Sequence, residues 1–277
     1  LSKVFLDVAG LTDRGRVRAR NADQFLIAEL NKSVAIRSST LPIERQKRLA
    51  AATAGHLLVV ADGWNNGGPA DHASDVAIIT SVEYVLALLP WFFDAVRGRD
   101  DAAVKLTNMV ERAAVPLRHD ANGRPALATS EATITMAFVI WPALFAVHCG
   151  SSRLYLLRGD ELHHLTADGS TDYPRFRDAT SVARLSGEPS RGNGSGSMIR
   201  MPTGVQMHVH QATIAYGDTI LLCTDGLTAA LSDEELSMML REERPADSAS
   251  LRLIHAANDA GGVDNTSVIV ARALQHE

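Results

Sequence analysis

Two apolar runs in this 277-residue chain end in the same pair, Asp-Gly: Leu57-Leu58-Val59-Val60-Ala61-Asp62-Gly63 and Ile220-Leu221-Leu222-Cys223-Thr224-Asp225-Gly226. A third carboxylate, Asp264, stands just before the apolar stretch Ser267 to Ala271. If the three strand ends meet, their like charges form a cluster that only a cation makes tolerable. An oxygen-only donor set of this kind suits Mg²⁺ or Mn²⁺, whereas zinc recruits His or Cys. The glycine after each aspartate lets the backbone approach closely, and its carbonyl is a further oxygen ligand. Taken singly, Asp-Gly after a strand and Asp264-Asn265 before one are ordinary turn chemistry, and spacing alone does not bring the three together.

The elements that would have to position these residues read as a mixture of strands and helices. Lys3 to Leu11 and Gln24 to Glu29 are expected as strands flanking a basic turn, Thr12 to Asp23, that carries Arg14, Arg16, Arg18 and Arg20. Ile43 to Ala54 has helical composition and stops at Gly55, and the strand Leu57 to Ala61 stops at Asp62-Gly63. Val76, Ile79, Val82, Val85, Leu86 and Leu89 recur at three and four, which predicts an amphipathic helix over His72 to Leu89; a second is expected over Asp101 to Leu117. Thr133 to Ile140, a Trp-Pro turn, Leu144 to Cys149, Arg153 to Leu157 and Leu162 to Thr166 form a meander, which favours antiparallel pairing. Ser186 to Ser197 is a Gly/Ser-rich surface loop. After the strand Thr219 to Cys223, Ser232 and Glu235 have capping-box spacing, a last helix runs from about Asp247 to Gly261-Gly262, and Ser267 to Ala271 closes the chain as a strand.

Composition sets outer bounds. Hydrophobic residues make up 46% and charged residues 21%, the balance of a globular protein able to bury a core. With 27 Lys and Arg against 32 Asp and Glu, the net charge is −5 and the signs are mixed, so a nucleic-acid partner is not expected. Two cysteines, both inside apolar runs, exclude a disulfide scaffold and a Cys-rich metal site. The apolar stretches are broken by Glu83 and Pro90 or by Pro142 and His148, so no membrane span is expected; neither is a leader sequence, which points to a cytoplasmic protein. No internal repeat occurs, and one mixed domain over residues 1–277 is the simplest account.

The order and context of the motifs resemble the PP2C family of metal-dependent serine/threonine phosphatases, of the bacterial type. Five segments carry the resemblance: Thr12-Asp13-Arg14-Gly15 through Arg18 to Asn21-Ala22-Asp23; Val60-Ala61-Asp62-Gly63 with Ala73-Ser74; Gly150-Ser151-Ser152-Arg153-Leu154-Tyr155; Leu221 to Leu227; and Asp264-Asn265-Thr266-Ser267. The fold it implies is α+β, a four-layer αββα sandwich of two antiparallel sheets flanked by helices, with metal ions at one end. It also implies that Asp62 bridges two Mn²⁺ or Mg²⁺ ions, that the Gly63 carbonyl binds one of them, that Asp225 and Asp264 complete the first ion's ligands, and that Arg18 grips phosphate. Read without the family, Arg18 is one solvated member of the basic run.

Departures from the family pattern fall at the site. Ala22 stands where a glutamate usually ligates the second ion, leaving Asp23, and Ser151 replaces an aspartate associated with a third. One well-supported ion is therefore expected beside a weaker second. The loop Trp64 to Ala70 is less glycine-rich than usual, although Asn65 and Asn66 can adopt left-handed turn geometry more readily than most residues. The expected activity is hydrolysis of phosphoserine or phosphothreonine in proteins modified by a serine/threonine kinase, by a monomer that needs neither nucleic acid nor membrane. The alternative is a pseudophosphatase or regulatory phosphoprotein-binding module with weak or no hydrolysis.

Overall fold

A computed structural model describes residues 4–31, 33–39, 54–65, 74–75, 78–79, 130–166, 180–184, 199–200 and 208–275. The expected helices over Ile43 to Ala54, His72 to Leu89 and Asp101 to Leu117, and the Ser186 to Ser197 loop, lie wholly or mostly outside those residues. The described strands are β1 (Val4–Asp13), β2 (Asp23–Asn31), β3 (Ser33–Ser39), β4 (Ala54–Asn65), β5 (Ser130–Ile140), β6 (Ala143–Cys149), β7 (Arg153–Arg158), β8 (Glu161–His164), β9 (Thr180–Arg184), β10 (Ile199–Arg200), β11 (His208–Thr213), β12 (Thr219–Cys223) and β13 (Thr266–Gln275). Three helices, α1 (Asp225–Ala230), α2 (Asp233–Glu242) and α3 (Ala246–Asp259), lie between β12 and β13.

The strands form two sheets, one ordered β1-β13-β12-β7-β8 and the other β3-β2-β4-β5-β6-β11-β9, with β10 against β5. Every pairing among the described strands is antiparallel. The fold expectation holds: two antiparallel sheets are stacked, and a helical layer covers the first. None of the described helices is long and apolar enough to cross a membrane.

Why the central strands read as unbroken apolar runs follows from their burial on both faces. In β12, Ile220 and Leu222 point between the sheets and pack with Leu58, Val60, Leu154, Leu156 and Ile269. Its alternate residues Leu221 and Cys223 face the helices and pack with Leu236, Leu253, Val268 and Val270. A strand with both faces covered has no polar side to show, so alternation disappears from its sequence. The capping box forms as expected, Glu235 N–H donating to Ser232 Oγ and Ser232 N–H to Glu235 Oε2, and fixes the start of α2.

Several boundaries differ from expectation. β4 does not stop at Asp62-Gly63 but runs on to Asn65, because Gly63, Trp64 and Asn65 keep their pairing with Ala132, Glu131 and Ser130 of β5. Asn65 is therefore extended and not a left-handed turn residue. Asp225-Gly226 opens α1 and is not a turn. The Ser-rich strand β3 was not expected and pairs with β2.

Candidate functional site

The antiparallel order brings one end of each sheet together. In the second sheet Asp62 of β4 lies directly across from Asp23 of β2 on one side and Thr133 of β5 on the other. In the first, β12 and β13 are neighbours, so Asp225 just after β12 and Asp264 just before β13 leave the same edge. Short polar side chains tie the two ends. Thr224 donates its hydroxyl to Asp23 Oδ2 at 2.6 Å and accepts from Ser267 N–H at 2.8 Å. Asn265 accepts from Ala22 N–H at 2.9 Å and donates to the carbonyls of Arg14 and Arg20, at 2.8 and 2.9 Å. That side chain clamps the arginine-bearing turn onto the start of β13.

The carboxylates sense one another. Burial, and then the charges of Asp23, Asp225 and Asp264, push the Asp62 carboxyl far above the ordinary carboxylate range. Asp23 is 2% exposed and is also raised, chiefly by burial, with the Thr224 hydroxyl pulling the other way. Asp23 Oδ1 is buried and has no hydrogen-bond partner. An orphaned carboxylate oxygen beside three further carboxylates is a costly arrangement unless a cation or a proton joins it.

Two donors already engage the cluster. Arg18 Nη2 lies 2.6 Å from Asp264 Oδ2, with both side chains partly exposed. The hydrogen bond to Asp264 raises the guanidinium pKa, and the charges of Asp62 and Asp225 add to it, so Arg18 stands in the field of the whole cluster. Ser151 Oγ donates to Asp225 Oδ2 at 2.8 Å. Among the described residues no three His, Cys, Asp or Glu side chains stand at metal-ligand spacing. The expected ligands Asp62, Gly63, Asp225, Asp264 and Asp23 thus share one end of the sandwich, with Arg18 beside them, but their oxygens do not form a closed shell. The oxygen-only donor set and the orphaned Asp23 Oδ1 fit a hard divalent ion; closing a shell around it requires Asp264 to turn from Arg18.

A competition follows from that ion pair. Arg18→Ala removes the cation held by Asp264, so metal affinity measured by calorimetry is expected to rise. With the phosphate-holding role that the family resemblance implies for Arg18, kcat/KM for a phosphorylated substrate is expected to fall roughly 10- to 100-fold in the same variant.

Protonation provides a second check. Both Asp62 and Asp23 have folded-state values above the unfolded value of 3.8. The folded chain therefore binds more protons, and the stability these groups contribute is complete below about pH 4 and lost as the pH climbs through the raised values. Thermal melts in chelator are expected to show Tm falling from mildly acidic to alkaline pH, and Mn²⁺ should remove most of that slope.

Thr224, Asn265 and Ser151 were not singled out from sequence as partners of the carboxylates. The available signal for Thr224 and Asn265 was position, since each adjoins a candidate aspartate, whereas Ser151 lies 74 residues from Asp225. Ala22 is buried, and its carbonyl accepts from Gly63 N–H at 3.2 Å and Ser74 Oγ at 2.5 Å, which ties the residue before Asp23 to the strand end that carries Asp62.

Known proteins share this arrangement of chain. No protein-family model matches. The serine/threonine protein phosphatase PstP of Mycobacterium tuberculosis is 29% identical over 280 residues, covering 98% of this chain and 46% of that protein. The serine/threonine phosphatase stp of Listeria innocua is 25% identical, covering 94% of this chain and 92% of that one. The crystal structure of the Mycobacterium tuberculosis PstP/Ppp phosphatase superposes with a TM-score of 0.68 at 25% identity, over 99% of this chain and 100% of that one. This chain is a relative of the bacterial PP2C-type serine/threonine phosphatases. A catalytic domain of PstP in complex with two manganese ions has the same PP2C-type fold, with a TM-score of 0.65 at 24% identity over 99% of this chain and 100% of that one. The chain spans about half the length of the PstP sequences it matches, 46%.

Proposed function

We propose that the chain is a metal-dependent protein serine/threonine phosphatase, with Asp62, the Gly63 carbonyl, Asp225 and Asp264 as ligands of one Mn²⁺ or Mg²⁺ and Asp23 with Asp62 serving a weaker second. The observation that carries this reading is the convergence of Asp23, Asp62, Asp225 and Asp264 from paired strand ends of two sheets, with Arg18 at their rim. When bound, such ions lower the pKa of water and neutralise phosphoryl oxygens. Arg18 leaves Asp264 to hold two phosphate oxygens by parallel N–H donors, which orients the phosphorus for in-line attack. Thr224 and Asn265 hold the strand ends so that the carboxylates need not be ordered at each turnover.

A cysteine-based route lacks its nucleophile among the described residues. Cys149 and Cys223 are fully buried, and burial pushes the Cys149 thiol up to about 12 and the Cys223 thiol higher still. Neither supplies a thiolate at neutral pH. The proposal extends to one PP2C-like domain over residues 1–277, acting as a cytoplasmic monomer on phosphoproteins made by a serine/threonine kinase.

The test is release of inorganic phosphate from 4-nitrophenyl phosphate and from a phosphothreonine peptide with Mn²⁺ or Mg²⁺. Metal-dependent turnover, abolished by chelator and by Asp225→Asn, is the expected result. No turnover with either ion in excess contradicts the proposal.

A further inference from the structure

The turn that presents Arg18 also carries Arg14, Arg16 and Arg20, and the phosphate needs only Arg18. Residues 14 and 16–20 are all exposed, with Val17 at 67%. The adjoining turn before β13 presents Val263, 68% exposed. Single exposed valines are ordinary, but these two stand on turns that are locked to each other. Arg16 and Val17 both donate their N–H to Gly262 O, at 2.7 and 3.2 Å, and Asn265 holds the carbonyls of Arg14 and Arg20. Gly15, at φ 75°, lies so close to the 262–264 backbone that a Cβ there would be 2.6 Å from Gly262 O. The arginines are thus displayed on a fixed backbone.

The present commitments of Arg14 and Arg16 are slight. Arg14 Nη1 reaches the Ala19 carbonyl at 3.3 Å, and Arg16 pairs with Asp259 at 2.9 Å with 61% and 77% of the two side chains exposed. An ion pair so open to water is readily exchanged. No acidic residue lies between Arg14 and Arg20. The facing turn adds Asp259 and Asp264, while Asp13 beneath is engaged by Gly15 N–H and Asn258. Among the described residues, Arg14, Arg16 and Arg18 outnumber the two rim carboxylates and leave a positive surplus beside an acidic centre, in a chain whose net charge is −5.

We propose that this rim docks the residues flanking the phosphorylated one, and that it fits a peptide with acidic side chains and one apolar side chain that rests on Val17 and Val263. The inference rests on the phosphatase reading above, since Arg18 fixes where the phosphate sits. An extended chain advances at most about 3.3–3.6 Å per residue, so the residues flanking a phosphate held on Arg18 stay beside the turn that carries Arg14 and Arg16. Charge complementarity at such a rim acts on encounter and on choice of partner.

Fluorescence anisotropy with peptides carrying a non-hydrolysable phosphonate analogue of phosphothreonine tests this without turnover. Flanks of Asp and Glu should bind about 10-fold tighter than neutral flanks, and lysine flanks more weakly than either. The preference should vanish in the triple variant Arg14→Ala, Arg16→Ala, Arg20→Ala and at high salt, while hydrolysis of 4-nitrophenyl phosphate by that variant stays unchanged; Val17→Ser should weaken only peptides with the apolar side chain. Equal binding of all flanks, or a preference that survives the triple variant, overturns the proposal. Tighter arginine-dependent binding to phosphatidylserine vesicles than to the acidic peptide overturns it in favour of a membrane surface. Absence of metal-dependent 4-nitrophenyl phosphate hydrolysis defeats the phosphatase reading separately, and the binding comparison still decides the docking surface.

Discussion

Asp62→Asn is expected to lower kcat/KM with Mn²⁺ by at least about 10³-fold, a loss of roughly 4 kcal/mol of transition-state stabilisation. The reason is its place in the cluster. Asp62 is the carboxylate on which the charges of Asp23, Asp225 and Asp264 all act, so it contributes most to the negative potential that draws a cation in. In the metal-free chain the same substitution removes the cost of protonating a buried carboxyl that is ionised in the unfolded state. Asp62→Asn should therefore melt higher than the wild type in chelator at neutral pH, yet gain little from added Mn²⁺. Loss of activity from misfolding would lower Tm under both conditions, so the pair of melts separates the two causes.

Gly226→Ala is expected to be the most damaging small substitution near the site. A Cβ there would run into the backbone carbonyl of Asn265 and stand 2.8 Å from Thr266 Oγ1. The obstacle is backbone, so no rotamer change relieves it. Forcing α1 away from β13 costs about 1–3 kcal/mol, which for a chain of this size lowers Tm by roughly 2–6 °C. It also separates Asp225, just after β12, from Asp264, just before the neighbouring β13. Activity should fall further than stability, as shown by comparing kcat/KM with the fraction folded at the assay temperature.

The parts of this architecture that were legible in the sequence are those set by burial and by local chemistry. β12 was read with its observed bounds because both of its faces are covered, and α2 was read because Ser232 and Glu235 cap each other. The three strand-end aspartates stood out because a carboxylate at either end of an apolar run is a visible break. Other features depend on partners far along the chain. β4 continues past Asp62-Gly63 because β5 pairs with it there, against the local preference of Asp-Gly for a turn. α1 opens on the same dipeptide, where Asp225 favours a helix N-terminus. Thr224 and Asp23 are 201 residues apart, and Asn265 acts 243 residues from Ala22. Thr, Asn and Ser are common in turns, so nothing local distinguishes these from residues of no consequence.

Ser151 shows how a departure from the family pattern acquires a structural meaning. From sequence it is only the absence of an aspartate. In the structure its hydroxyl donates to Asp225 Oδ2, which brings a neutral hydrogen-bond donor to a position where another carboxylate would add charge. Ala22 has no such replacement: it is buried one residue before Asp23, and its methyl carries no oxygen to offer a cation.

The most direct measurement of the central claim is anomalous diffraction from a crystal grown with Mn²⁺. The expected result is a strong peak coordinated by Asp62, the Gly63 carbonyl, Asp225 and Asp264, with Arg18 released from Asp264 and a weaker second peak on the Asp23 side. A map with no manganese at these carboxylates, and Arg18 still paired with Asp264, would contradict it.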